Sequence, residues 1–462
     1  MTLIKSISGI RGTIGGQVGD NLTPIDAVKF ASAYGVWIRQ QREKDTYRVV
    51  VGRDARISGA MIQNLVMNTL VGMGIHVIDL GLSTTPTVEM AVPMEHADGG
   101  IILTASHNPK QWNALKLLNA KGEFLDAIEG AKILEIAESD NISFVNIDRL
   151  GKITKNKAYF DLHIIEVLDL DLVNVPAIED AKFKVVVDGV NSSGGVVIPL
   201  LLERLGVNVV KLYCEPNGEF PHNPEPLKEH LTDLSKKVVE TGADLGIVVD
   251  PDVDRLAFID ENGDMFGEEY TLVACADYVL SRTPGNTVSN MSSTRALKDV
   301  TEKYGGKYEA SAVGEVNVVS LMKKNKVVIG GEGNGGIIYP ESHYGRDALV
   351  GIALFLSLLA DKNIKVSELR RTYPNYFMSK KKIELTPNLD VDGILKMIEN
   401  NYINEQLTTI DGVKIDFAES WVHLRKSNTE PIIRIYTEAK SQEEADSLAD
   451  KIIEQIKAIA KI

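Results

Sequence analysis

One pattern recurs three times along the 462-residue chain, and it limits the fold more than any other feature. "YRVVVGRDARISGAMIQNLVMNTLVGMGIHVIDLG", beginning at Tyr47, reads as strand, polar loop, helix, small turn, strand. "FKVVVDGVNSSGGVVIPLLLERLGVNVVKLY", from Phe183, reads the same way. "NTVSNMSSTRALKDVTEKYGGKYEASAVG", from Asn286, is a looser third copy. β-Branched runs suit buried strands, and the intervening segments carry helical apolar periodicity. Strands that alternate with helices predict α/β units with mixed, largely parallel sheets. The tail breaks the pattern. "PIIRIYTEA" reads as a strand, and "SQEEADSLADKIIEQIKAIAKI" as a helix opened by a capping box of Ser441 and Glu444. The expected architecture is three related α/β domains plus a C-terminal α+β domain, at 1–155, 156–257, 258–370 and 371–462.

Each unit brings a polar segment after an apolar run. "GGIILTA" breaks into Ser106-His107-Asn108-Pro109, with Lys116 a few residues on. "LGIVVDPDVDRLAF" delivers Asp250, Asp252 and Asp254 at alternating positions, then Arg255. Carboxylates on one loop suit a hard cation such as magnesium, which leaves room for a phosphate oxygen. An EF-hand is the competing metal reading, since Glu261 falls at the twelfth loop position. Arg255, however, occupies the place that needs glycine, and "LAFID" looks like a strand. A solvated acidic turn is the plainest alternative. "GGEGNGG" places Glu332 and Asn334 among glycines; taken alone it is weak, and its spacing is neither a Rossmann nor a P-loop fingerprint. "LRKSNTEPIIRIY" gathers Arg425, Lys426, Ser427, Asn428, Thr429 and Arg434, donors suited to phosphate. "SGIRGTIG" sets Arg11 between glycines.

Together these segments make one coherent phosphoryl-transfer site with Ser106 as the carrier. No G-x-S-x-G elbow surrounds Ser106, which disfavours a serine hydrolase, and His107 reads as structural. Net charge of −14 argues against a nucleic-acid or anionic-membrane partner. The longest apolar run, "LVGIALFLSLLA", is too short to span a bilayer and reads as a buried helix. Two cysteines and an N-terminus without an apolar core fit a cytoplasmic protein.

Four segments in order, "TASHNP", "DPDVDR", "GEGNG" and "RKSNTEPIIR", resemble those of the alpha-D-phosphohexomutase family of phosphoglucomutases, phosphomannomutases and phosphoglucosamine mutases. The resemblance spans nearly the whole chain. It implies four domains around a central cleft, one loop from each. It implies that Ser106 is a phosphoserine and that Asp250, Asp252 and Asp254 hold Mg2+ together with that phosphate. Glu332 and Asn334 would bind sugar hydroxyls. Arg425, Ser427, Asn428, Thr429 and Arg434 would hold the phosphate that is not transferred. Lys116 matches the family's general acid/base candidate, a task that needs a depressed lysine pKa. Arg11 and Arg255 match arginines near the reacting phosphate. A hexose 1,6-bisphosphate would be activator and intermediate, and the substrate a small-molecule sugar phosphate.

The sugar loop departs from many bacterial members, which have serine and then histidine where this chain has Asn334 and Gly336. His343, within "ESHYGRDAL", is the candidate to replace that histidine at the catalytic site. "VGEVNV" and "GGEGNGG" look most like the archaeal-type branch and point to glucosamine phosphate, with glucose and mannose phosphates as alternatives. A serine-dependent metal phosphohydrolase and a noncatalytic sugar-phosphate sensor are the rival readings.

Overall fold

The computed structural model describes residues 2–6, 9–139, 141–384, 389–426 and 432–460. It contains four sheets. The first holds β1 (Ile4–Ser6), β2 (Gly9–Thr13), β3 (Tyr47–Arg53), β4 (Ile75–Leu82), β5 (Gly99–Leu103), β6 (Trp112–Leu118) and β7 (Ile153–Lys155) in the order β1-β2-β6-β5-β3-β4-β7. The second holds β8 (Lys184–Asp188), β9 (Asn208–Leu212), β10 (Leu245–Val249) and β11 (Leu256–Asp260) in the order β11-β10-β8-β9. The third holds β12 (Thr287–Asn290), β13 (Tyr308–Ser311), β14 (Ile329–Glu332) and β15 (Gly336–Ile338) in the order β13-β12-β14-β15. The fourth, wholly antiparallel sheet runs β16 (Phe377–Glu384), β20 (Ile432–Ala439), β19 (Trp421–Lys426), β18 (Val413–Asp416), β17 (Gln406–Thr408).

The repeats in the sequence are repeats in space. In each α/β sheet the first strand of the copy is parallel to the second strand and to a third, and the third turns back into an antiparallel partner, which is an edge strand in the second and third sheets. The third strands are β5, β10 and β14. "TASHNP" follows β5, the aspartates follow β10 and the glycine-rich segment runs from β14 into β15, so all three occupy the same topological position. Ligands in open α/β sheets collect at the carboxyl ends of the strands, where connections diverge.

The cores are shared unequally. Side chains of the second and third sheets merge into one cluster around helices Glu268–Arg282 and Ala348–Lys362, with Phe258 stacked on Phe355 at 3.8 Å. The first and fourth units keep cores of their own. The apolar run at 349–360 is the buried helix its composition predicts. The expected boundary at 257 falls inside β11, whose antiparallel pairing with β10 carries the second sheet to Asp260. At the C-terminal helix, Gln442–Ala460, the Glu444 N–H donates to Ser441 Oγ at 3.2 Å.

Candidate active site

Ser106 heads the turn after β5 with φ of +48°, a backbone region L-residues seldom occupy. Several contacts hold it there. Its N–H donates to Thr104 Oγ1 at 2.9 Å, and Thr104 in turn donates to Asp54 Oδ2 at 2.7 Å. The buried Arg56 pairs with Asp54 and donates to the carbonyl oxygens of Ser106, Asn108, Pro109 and Trp112. Five donors in a planar fork make arginine suited to stapling a loop in this way. Sequence reading overlooked Arg56. Its signal was a charged cluster, "GRDAR", closing an apolar strand.

Ser106 Oγ, in the first sheet's unit, donates to Asp250 Oδ2 of the second at 2.7 Å. His107 Nδ1 lies 3.3 Å from Ser106 Oγ. Burial, then Arg255, pushes the His107 imidazole well below the usual histidine range, so it is neutral at pH 7.

Asp250, Asp252 and Asp254 are fully buried, and one oxygen from each lies within 4.8 Å of the others. Between them Val253 takes φ of +65°, an outlier for a β-branched residue. Strain of this kind is tolerated where the surroundings over-determine the backbone. Burial and the two neighbouring carboxylates push Asp250 well up. For Asp252 burial would do the same, but Lys116 and the Thr85 hydroxyl hold it down. Asp252 Oδ1 and Asp254 Oδ1 are buried without a hydrogen-bond partner. Orphaned carboxylate oxygens converging in a dry site fit a hard divalent cation. The EF-hand reading fails here, because β11 follows the aspartates and Glu261 turns to the Ser367 hydroxyl and N–H instead.

Lys116, on β6, reaches Asp252 Oδ2 at 2.7 Å and Asp254 Oδ2 at 3.4 Å. Burial would lower its pKa, but the two carboxylates outweigh that and raise it. The depressed lysine expected from its acid/base task is therefore not the state seen. Two anions at hydrogen-bonding range stabilise the ammonium more than desolvation costs.

Arg11 lies on β2. Burial lowers its guanidinium pKa, and so do nearby Arg255 and Arg434, which places three arginines in one electrostatic neighbourhood. Arg255 is tethered by Glu225 at 3.1 Å. Arg425 and Arg434 face each other across β19 and β20. Like charges directly opposite destabilise a sheet unless an anion joins them. Ser427, Asn428 and Thr429 lie outside the described residues.

Glu332 ends β14. Its Oε1 accepts from Asn290 Nδ2 at 2.8 Å and from the Gly314 N–H at 3.2 Å, and its Oε2 from Arg346 at 2.9 Å. Asn334 Oδ1 accepts from the Gly336 N–H. The glycines between them meet protein. A Cβ at Gly335, where φ is +83°, would fall 2.0 Å from the Leu256 carbonyl oxygen.

His343 joins a buried cluster. Its Nε2 lies 3.1 Å from Asp347 Oδ2, which His163 also reaches at 2.8 Å, and its Nδ1 lies 3.5 Å from Glu89. Among the described residues it makes no hydrogen bond or ion pair with Ser106 or the three aspartates. Thr85, Glu89, His163, Glu315 and Arg346 were not singled out as site residues from the sequence. They come from separate units, and no local motif marks them.

A serine bonded to a buried carboxylate cluster, with arginines gathered beside it, defines a phosphoryl-transfer enzyme. The comparisons with known proteins give the family. Profiles described as phosphoglucomutase/phosphomannomutase alpha/beta/alpha domains I, II and III match residues 3–142, 159–263 and 267–376, and that of the C-terminal domain matches 364–455. The chain belongs to the phosphoglucomutase/phosphomannomutase family. A phosphoglucomutase/phosphomannomutase of Thermococcus kodakarensis is 36% identical over 94% of this chain and 95% of its own. A probable phosphoglucosamine mutase of Methanopyrus kandleri is 31% identical over 97% of each. A phosphoglucomutase/phosphomannomutase family protein of Burkholderia thailandensis superposes with a TM-score of 0.84 at 25% identity, covering 98% of both chains. The protein is thus a phosphohexomutase, an intramolecular phosphotransferase of the isomerase class. No helix among the described residues is long and apolar enough to cross a membrane.

Proposed function

We propose that this phosphohexomutase converts glucosamine 6-phosphate to glucosamine 1-phosphate through phospho-Ser106 and a hexose 1,6-bisphosphate. One observation carries the site assignment: the hydrogen bond from Ser106 to Asp250, which seats the hydroxyl of one unit on the carboxylate cluster of another. Asp250, Asp252, Asp254 and the serine phosphate would hold Mg2+. When bound, that ion offsets charge developing on the phosphoryl oxygens. As the bond between Ser106 Oγ and phosphorus breaks, the free sugar hydroxyl bonds to phosphorus. Its proton passes by way of Lys116 Nζ to Ser106 Oγ. Lys116, an ammonium in the structure, gives one proton to Ser106 Oγ and takes one from the sugar hydroxyl, so it is an ammonium again and Ser106 a hydroxyl once the transfer is complete. The sugar reorients, its other phosphoryl group returns to Ser106, and the proton travels back to the sugar oxygen.

Arg11 and Arg255 steady the moving phosphoryl group. Arg425, Ser427, Asn428, Thr429 and Arg434 hold the other phosphate. Glu332 keeps one acceptor site free for a sugar hydroxyl beyond the three hydrogen bonds it receives, and Asn334 offers its amide. His343 is bound to Asp347 behind the site, which supports positioning rather than substrate contact. The sugar assignment rests on the similarity to the Methanopyrus kandleri protein. The similarity to the Thermococcus kodakarensis protein supports glucose and mannose phosphates as alternative substrates, which we expect to turn over more slowly. A cytoplasmic location suits a chain with two free thiols.

The test is side-by-side turnover of glucosamine, glucose and mannose 1-phosphates with Mg2+ and a trace of bisphosphate. Intact-mass measurement on the active enzyme accompanies it. The expected result is highest efficiency on glucosamine phosphate and one phosphoryl group on Ser106, with Ser106→Ala folded and inactive. A clear advantage for another sugar overturns the substrate. Phosphate found only on another residue in fully active enzyme overturns the carrier.

A further inference from the structure

Arg346 precedes the helix at Ala348–Lys362 and is 8% exposed. Its guanidinium is shared among three carboxylates from three parts of the chain. Nη2 donates to Asp254 Oδ2, in the aspartate loop, at 2.6 Å. Nη1 donates to Glu332 Oε2, at the end of β14, at 2.9 Å. Nε donates to Glu315 Oε2, at the start of helix Glu315–Asn325, at 3.0 Å, and Glu315 Oε1 takes the Arg346 N–H at 3.1 Å. Glu315 thus grips both the backbone and the fork of Arg346 and fixes the plane in which its other two nitrogens point.

We propose that Arg346 is a positioning residue that sets the metal-binding carboxylates and the sugar-binding loop from a single guanidinium. The inference rests on the reading of Asp254 as a metal ligand and Glu332 as a sugar contact. With Oδ2 of Asp254 held by Arg346, Oδ1 is left buried without a hydrogen bond, 4.0 Å from Arg255 Nε, and is the oxygen free to meet a cation. The same fork leaves Glu332 one acceptor site for the sugar. A lysine at this position would keep the charge, but a single nitrogen cannot present two hydrogen bonds in fixed, diverging directions to Asp254 and Glu332 while a third goes to Glu315. Outer contacts of this type hold a metal ligand in the rotamer that binds, and losing one typically costs about 10- to 100-fold in metal affinity or activity.

The test uses the full chain, with Mn2+ as probe, comparing native protein with Arg346→Lys and Glu315→Gln. Free Mn2+ is read by electron paramagnetic resonance, and KM and kcat are measured for glucosamine 1-phosphate. Arg346→Lys is expected to weaken Mn2+ binding by about 10-fold or more and to raise KM in the same variant. Glu315→Gln keeps shape but loosens the grip on the guanidinium. It is expected to weaken Mn2+ binding several-fold, although Glu315 touches none of the three aspartates. A variant with native Mn2+ affinity and native KM but a lowered melting temperature would show that the residue is merely structural and overturn the proposal. Should Arg346→Lys fail to fold, Glu315→Gln decides alone, and unchanged Mn2+ affinity there overturns it. Native protein that binds no Mn2+ would instead overturn the metal-site reading, and this inference with it.

Discussion

The aspartate loop and the arginine pair on the fourth sheet handle related charge in opposite ways. Asp250, Asp252 and Asp254 are fully buried, stapled by Thr85, Lys116 and Arg346, and include a valine held at positive φ. Arg434 is exposed, and Arg425, half-buried, has a loose contact with Asp411 at 3.4 Å. The first arrangement is fixed by the chain's own contacts. The second holds like charges side by side with only Asp411 as a loose counter-charge, and in the proposed reading the substrate phosphate supplies the rest. This difference suits the proposed cycle. The reacting phosphoryl group always meets the same carboxylates, whereas the spectator phosphate is attached at O6 in one half and at O1 in the other. A dry, rigid centre gives one geometry, and a solvent-facing pair of guanidinium groups accepts either.

Three substitutions break or sharpen this contrast. Asp252→Asn should have the largest effect. It removes charge from a fully buried cluster and breaks the pair with Lys116, so Mn2+ binding and turnover should both collapse. Full activity with full metal affinity would refute the assignment. Arg434→Ala should act on the exposed side only. Losing one charge-assisted contact typically costs about 1.5–3 kcal/mol, which is roughly one to two decades in kcat/KM. Mn2+ affinity should stay native, and the defect should shrink relative to native protein as salt screens the guanidinium in the latter. Unchanged efficiency for both the 1-phosphate and the 6-phosphate would count against it. Asp411→Asn should have the smallest effect. A half-exposed ion pair is worth about 0–1 kcal/mol, so releasing Arg425 should lower KM by no more than a few-fold. A loss of several decades would mean that Asp411 does more than tether Arg425.

Much of the fold was legible from period and composition. β-Branched runs followed by amphipathic segments gave the three α/β units, and the sheets repeat as the copies do. The apolar stretch before Asp361 is a buried helix, as its length implied. The fusion of the second and third cores was not legible, because helix Ala348–Lys362 is apolar all round and its pattern names no partner. The lysine expectation missed for a related reason. Burial was foreseeable for Lys116, but its two carboxylate neighbours lie well over a hundred residues away in the chain.

By itself the sequence was enough to single out the residues proposed to carry the chemistry. The serine after an apolar strand, the alternating aspartates and the arginine-rich turn are local signals, because the strands that deliver them are specified by neighbouring residues. Only the tertiary structure decided how those residues are set. Arg56 folds the serine turn over its own carbonyl contacts, and Arg346 ties the aspartate loop to Glu332 and Glu315. Asp347 caps a helix with one oxygen while the other serves two histidines. Each places a buried charged group on partners that include residues distant in the chain. The strength of these contacts comes from burial shared by several units, a property that no single stretch of sequence possesses.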